Sequence, residues 1–139
     1  MSKTLLYRLF GAGKIPEQLA AQLKGEGLLM SDEGIKGTVT YLDFRAPGQY
    51  SNWRRQWYTA SLALTEVRLL GRRHSQTIID VPLADERIRR MQFSVEEGET
   101  LLVAFDAALF HADWSGKIEY RFRTPQAQLF LDKLRGRIA

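Results

Sequence analysis

The sequence predicts a mainly β domain of antiparallel strands flanked by helices, and three observations carry that reading. Apolar strand signals recur about every ten residues from Gly27 onward, the spacing of an antiparallel sandwich or barrel. Lys117 to Arg123 alternates strictly, with Ile118, Tyr120 and Phe122 facing one way and Lys117, Glu119, Arg121 and Arg123 the other. Thr124 and Pro125 then open a segment in which Ala127, Phe130, Leu134 and Ile138 repeat at helical spacing.

Residues 1–26 read as an N-terminal helical extension packed on a domain at 27–139. Leu5, Leu6, Leu9 and Phe10 fit either a helical turn or a strand. Lys14 to Leu23 predicts a short helix, with Pro16 in its first turn, Leu19 and Leu23 on one face, and Gly25 as its stop. Strands are expected at Leu28–Ser31 and Ile35–Phe44, on either side of a turn at Asp32-Glu33-Gly34. Arg45 to Gln56 reads as a turn-rich loop entering a strand in which Tyr58, Ala60, Leu62 and Leu64 alternate with Thr59, Ser61 and Ala63. Glu66 turns into a strand over Val67 to Leu70. Ile79, Val81 and Leu83 alternate next, and Pro82 marks a strand end or edge. Met91, Phe93 and Val95 form another strand, and a Glu-Glu-Gly-Glu turn leads to Leu101–Phe105, continuously apolar like a strand buried on both faces. The final helical stripe needs an apolar surface to cover, which a nearly closed sheet with one open end would offer.

At 139 residues the chain is long enough for one domain with a proper core. It has no cysteine, which excludes disulfides and thiol chemistry and leaves two histidines and the carboxylates as possible metal ligands. No apolar run approaches the roughly 20 residues of a membrane helix. The first residues lack the apolar core and cleavage site of a signal peptide, so a cytoplasmic location is expected. The net charge of +4 is unevenly spread: residues 36–73 hold seven basic side chains against Asp43 and Glu66. That excess fits an anionic partner, and it equally fits a solvated surface that keeps the protein soluble.

The same segment holds the strongest candidate site. Arg45, Arg54 and Arg55 lie beside Tyr50, Trp53 and Trp57, and guanidinium groups suit phosphate and carboxylate partners. Neighbours in extended chain point to opposite faces, so at most one of Arg54 and Arg55 shares a site with Arg45. One reading is an anion cradle with Trp53 or Tyr50 as a wall; the other has the arginine stems shielding the tryptophans. Leu109, Phe110 and Trp114, in the long connection before Lys117, either fold back onto the core or form a contact surface, with fold-back favoured.

Other motifs are bland. Gly11-Ala12-Gly13-Lys14 lacks the spacing and the hydroxyl residue of a phosphate loop and reads as a turn. Asp106, His111, Asp113 and Ser115 lack the ordered spacing of a metal motif and fit turn chemistry. No nucleophile elbow or pair of carboxylates stands out, so neither catalysis nor a cofactor is expected. Basic and aromatic residues interleave over 45–58, but the aromatics sit in a loop or turn inward, which argues against a nucleic-acid platform.

About seven antiparallel strands followed by one amphipathic helix resemble the pleckstrin-homology fold. The stretch WRRQWYTASLALTEVRLL, Trp53 to Leu70, is similar to that family's signature, and Leu64 to Leu70 is especially similar to the bacterial PH-like domains. The resemblance covers roughly residues 27–138, with Gln56 and Phe130 departing from the family pattern. It implies a PH-like, partly open barrel or sandwich and a non-catalytic binding module for protein interaction or self-assembly. The alternative it implies is a sensor of anionic ligands such as phospholipid headgroups, gripped through the loop of Arg45, Arg54 and Arg55.

Overall fold

The computed structural model describes residues 3–4 and 14–138. Seven antiparallel strands make one sheet: β1 (Leu28–Ala46), β2 (Gln49–Thr65), β3 (Arg68–Arg73), β4 (Gln76–Pro82), β5 (Gln92–Glu96), β6 (Thr100–Asp106) and β7 (Ser115–Arg123). Their order is β4-β3-β2-β1-β7-β6-β5, so β4 and β5 are the edges and the sheet does not close. Among the described residues two α-helices accompany it, α1 (Glu17–Gly25) and α2 (Ala127–Ile138), with short 3-10 turns at Glu86–Arg90 and Ala107–Leu109.

Alternation assigns the faces. On the inner face, Ile35, Val39, Ala60, Leu62, Leu64, Val103 and Phe122 form a core that is almost fully buried. Phe130, Leu131 and Leu134 of α2 cover it, as the helical stripe requires. On the outer face α1 contributes Leu23 to a smaller cluster with Ala63 of β2 and Leu70 of β3.

The structure departs from the sequence expectations in four places. Asp32-Glu33-Gly34 is not a turn but lies within β1, which runs unbroken for 19 residues and absorbs an irregularity between Glu33 and Ile35. Gly34 takes the positive φ of 69° there. Asp32 is buried because Lys3 Nζ and Thr124 Oγ1 both donate to its carboxylate, at 2.6 and 2.7 Å. Second, Arg45 to Gln56 is not a loop: only Pro47 and Gly48 lie between β1 and β2, and the rest is strand paired residue by residue, from Ala46↔Gln49 to Val39↔Gln56. Third, the first helix starts at Glu17, with Pro16 extended at its N-cap rather than inside the first turn. Fourth, the turn at Pro125 and Gln126, in which Thr124 Oγ1 accepts from Gln126 N, precedes an α-helix that begins at Ala127. The alternatives for Leu5 to Phe10 and the turn at Gly11 to Gly13 lie outside the described residues.

Candidate functional site

The β1–β2 hairpin outreaches its neighbour. β3 pairs with β2 only from Ala60 to Leu64, while β1 pairs with β2 all the way to Gln49. Among the described residues, no strand therefore lies along the other side of β2 over residues 49–58. Its backbone there offers a row of unpaired donors and acceptors, the property that lets an edge strand recruit another chain. The hairpin stays ordered because β7 supports β1 from behind, pairing Lys36 to Leu42 with Arg123 to Lys117.

Side chains on the two faces of this arm differ. Trp53, Arg55 and Trp57 stand opposite Leu42, Thr40 and Thr38 on the outer face. The two tryptophans are 59% and 58% exposed, as is Tyr50 at 58%. Arg55 lies over the Trp53 ring at 5.5 Å and donates from Nε to Thr40 Oγ1 at 3.0 Å, while Lys36 Nζ sits 4.2 Å from the Trp57 ring. At the tip Arg45 covers its cross-strand partner Tyr50 at 4.8 Å. Arg54, opposite Tyr41, points to the inner face and stacks on that ring at 4.6 Å.

The candidate residues are thus divided three ways: Arg55 and Trp53 outside, Arg54 inside, and Arg45 with Tyr50 at the tip. The sequence reading placed Trp57 beside the arginines but gave the cradle wall to Trp53 or Tyr50 alone, and it left Lys36 out of the site. Trp57 could have been added to the wall from its spacing of two and four from Arg55 and Trp53, which shares a face in a strand; Lys36 needed the cross-strand register.

Surface arginines fall into compensated and uncompensated sets, and the cations of the arm belong to the second. Arg68, Arg87, Arg121, Arg123 and Arg137 each meet a carboxylate within 2.6 to 3.6 Å. Among the described residues, Lys36, Arg45, Arg54 and Arg55 meet rings and no carboxylate, so their charge is uncancelled at contact range. Each guanidinium lies over a ring, and apart from the Arg55 Nε bond to Thr40 its N–H groups are available to a ligand.

The connection after β6 folds back onto the core. Leu109, Phe110 and Trp114 are half-buried against it, Phe110 edge-on to Phe105 and Trp114 edge-on to Phe44, both at 5.3 Å between centroids. His111 stacks on Trp114 at 3.6 Å. These rings rim the inner side of the sheet, where Arg73 lies 5.3 Å from the Tyr58 ring and donates to Gln56 Oε1 at 3.1 Å. Burial drives the phenols of Tyr58 and Tyr120 far above their ordinary titration range, so both remain neutral hydroxyls at physiological pH. Among the described residues there is no cluster of three or more metal-ligating side chains, and no helix is long and apolar enough to cross a membrane. No protein-family model matches the chain, and a comparison with curated proteins finds no match.

Proposed function

We propose that this chain is a non-catalytic, PH-like binding module whose β1–β2 arm takes an extended acidic segment of a protein partner as an added strand. The observation that carries this reading is the open side of β2 over residues 49–58, flanked by exposed tryptophans and cations without carboxylate partners. Main-chain hydrogen bonds along such an edge supply affinity, and alternating side-chain contacts supply specificity. Trp53 and Trp57 supply the apolar anchor. Each still exposes roughly 120 Å² of its surface, and covering it is worth about 3 kcal/mol. The PH-like assignment rests on seven antiparallel strands with a helix over their core.

Charge favours a foreign strand over a second copy of this chain. Two β2 edges paired antiparallel bring Arg54 and Arg55 of one copy toward those of the other, and like charges across a pair are destabilising. A phospholipid headgroup is the weaker alternative, because Arg54 points away from Arg55 and a headgroup on the outer side is left with Arg55 and Lys36.

The test is a titration of the full chain, followed by amide NMR, with a short peptide alternating glutamate and valine. Shifts should concentrate at residues 49–58 and disappear in a Trp53→Ala/Trp57→Ala variant that keeps its fold. Affinity should drop several-fold between about 20 and 200 mM salt. Equal binding of the lysine–valine twin would overturn the proposal, as would shifts mapping elsewhere. Preferential binding to phosphatidylserine vesicles would transfer the arm to the headgroup reading.

A further inference from the structure

The inner side of the sheet holds a second feature that strand addition at the β2 edge does not use. Between β4 and the segment that follows β6 lies a cleft of about 640 Å³, within the range of small-molecule sites. Rings such as Tyr41, Phe105, Phe110 and Trp114 line it together with the polar Gln76 and Thr77. Arg54 and Arg73 join this lining. They are neighbours: Arg73 is bonded to Gln56, and Gln56 is the next residue after Arg54 on the same face of β2, about 7 Å along the strand.

Those two charges have no carboxylate partner among the described residues. The one acidic residue in the lining, Asp80, pairs with Arg68 at 3.1 Å. It also stands opposite Leu70, on the outer face. A ring-lined cleft bordered by two uncompensated guanidinium groups is complementary to a molecule with an apolar body and an anionic head. The Arg54 guanidinium lies 4.6 Å from the Tyr41 ring and that of Arg73 5.3 Å from the Tyr58 ring, and the N–H groups beyond the Arg73–Gln56 bond are available to an anion.

We propose that this cleft binds an amphipathic carboxylate, its apolar body against the aromatic walls and its head between Arg54 and Arg73. A polyphosphorylated ligand fits less well, since two cations cannot balance several charges. The site lies on the face of the sheet opposite Trp53, Arg55 and Trp57, and of the four cations of the arm it uses only Arg54.

Isothermal titration calorimetry of the full chain with dodecanoate, and with dodecanol as its neutral twin, tests the assignment. Arg54→Met and Arg73→Met keep the aliphatic stems and remove the charges; Arg123→Met, on the outer face, is the control. Circular dichroism melts establish that each variant is folded. Dodecanoate should bind saturably with one site. Each inner variant should weaken it about tenfold, the worth of one charge-assisted hydrogen bond, and Arg123→Met should leave it unchanged. Dodecanol should bind more weakly and ignore all three substitutions. Absence of saturable binding, many-site detergent-like uptake, or equal loss in the Arg123 control would each overturn the proposal.

Discussion

Gly37→Ala is a small change placed where the structure has no room for it. Gly37 sits in the middle of β1, opposite Tyr58 of β2 on one side and Phe122 of β7 on the other. A methyl group there would stand 2.5 Å from Tyr58 Cε1, 3.1 Å from its Cδ1 and 3.0 Å from the Ala60 Cβ. The Tyr58 ring lies across the glycine, is buried, and donates its hydroxyl to the Thr38 carbonyl at 3.2 Å. Displacing it strains a packed core, at about 1–3 kcal/mol, and loses a buried hydrogen bond of about 1 kcal/mol. Replacing glycine within a strand returns about 0.5–1 kcal/mol. The net expectation is a loss of about 2 kcal/mol, or roughly 5–10 °C in Tm for a domain of this size. Urea denaturation should show the loss with an unchanged m-value. The decisive arm is Tyr58→Val, which removes the ring: in that background Gly37→Ala should be neutral or mildly stabilising. Equal losses in both backgrounds would refute the steric argument and leave a backbone effect in its place.

Two further outcomes follow from particular contacts. Thr65 is buried and its Oγ1 accepts from both Val67 N and Arg68 N at 3.1 Å, closing the turn between β2 and β3; Thr65→Val should cost about 2 kcal/mol in chemical denaturation, because those donors lose their acceptor, and a neutral result would show the turn is held elsewhere. The hydrogen bond from Arg137 holds the Glu66 carboxyl below its ordinary 4.5, so this pair contributes stability above pH 4.5 that is lost as pH falls through the lowered value; Arg137→Gln should raise the Glu66 titration midpoint toward 4.5 in carbon-detected NMR, and an unmoved midpoint would rule out the pairing.

Much of the sheet could be read from the residues alone because burial on one face enforces alternation. Ile118, Tyr120 and Phe122 point inward as their spacing requires, and Leu101 to Phe105 read as strand from their unbroken apolarity. The distal half of β2 failed that test for a physical reason. Residues 49–57 are paired on one side only and carry little buried apolar surface, so the strand there has no hydrophobic period to display, and Pro47, Gly48, Ser51 and Asn52 mimic a loop. Asp32 misled for a different reason. A buried carboxylate inside a strand is held by Lys3 and by Thr124, contacts that no local pattern announces. For the site, chain alternation alone separates Arg54 from Arg55. Bringing Arg73 beside Arg54 depends on β3 pairing with β2 through Ala60↔Arg73 and on the bridge to Gln56, both set by tertiary register.

The strand order has a consequence for how the molecule assembles. Strands β1 to β4 form one meander of sequential neighbours and β5 to β7 a second, and a single ladder, β1 with β7, sews them together. Every other pairing closes a local hairpin, whereas this seam joins residues roughly eighty positions apart, where the entropy of closing the loop is greatest. Hairpins form in microseconds, so the seam sets the pace at which the two halves become one molecule. A nascent chain that has delivered only the first meander displays the apolar inner face of β1 without β7 beside it. Until β7 arrives, the strand that becomes the spine of the sheet is itself an open edge.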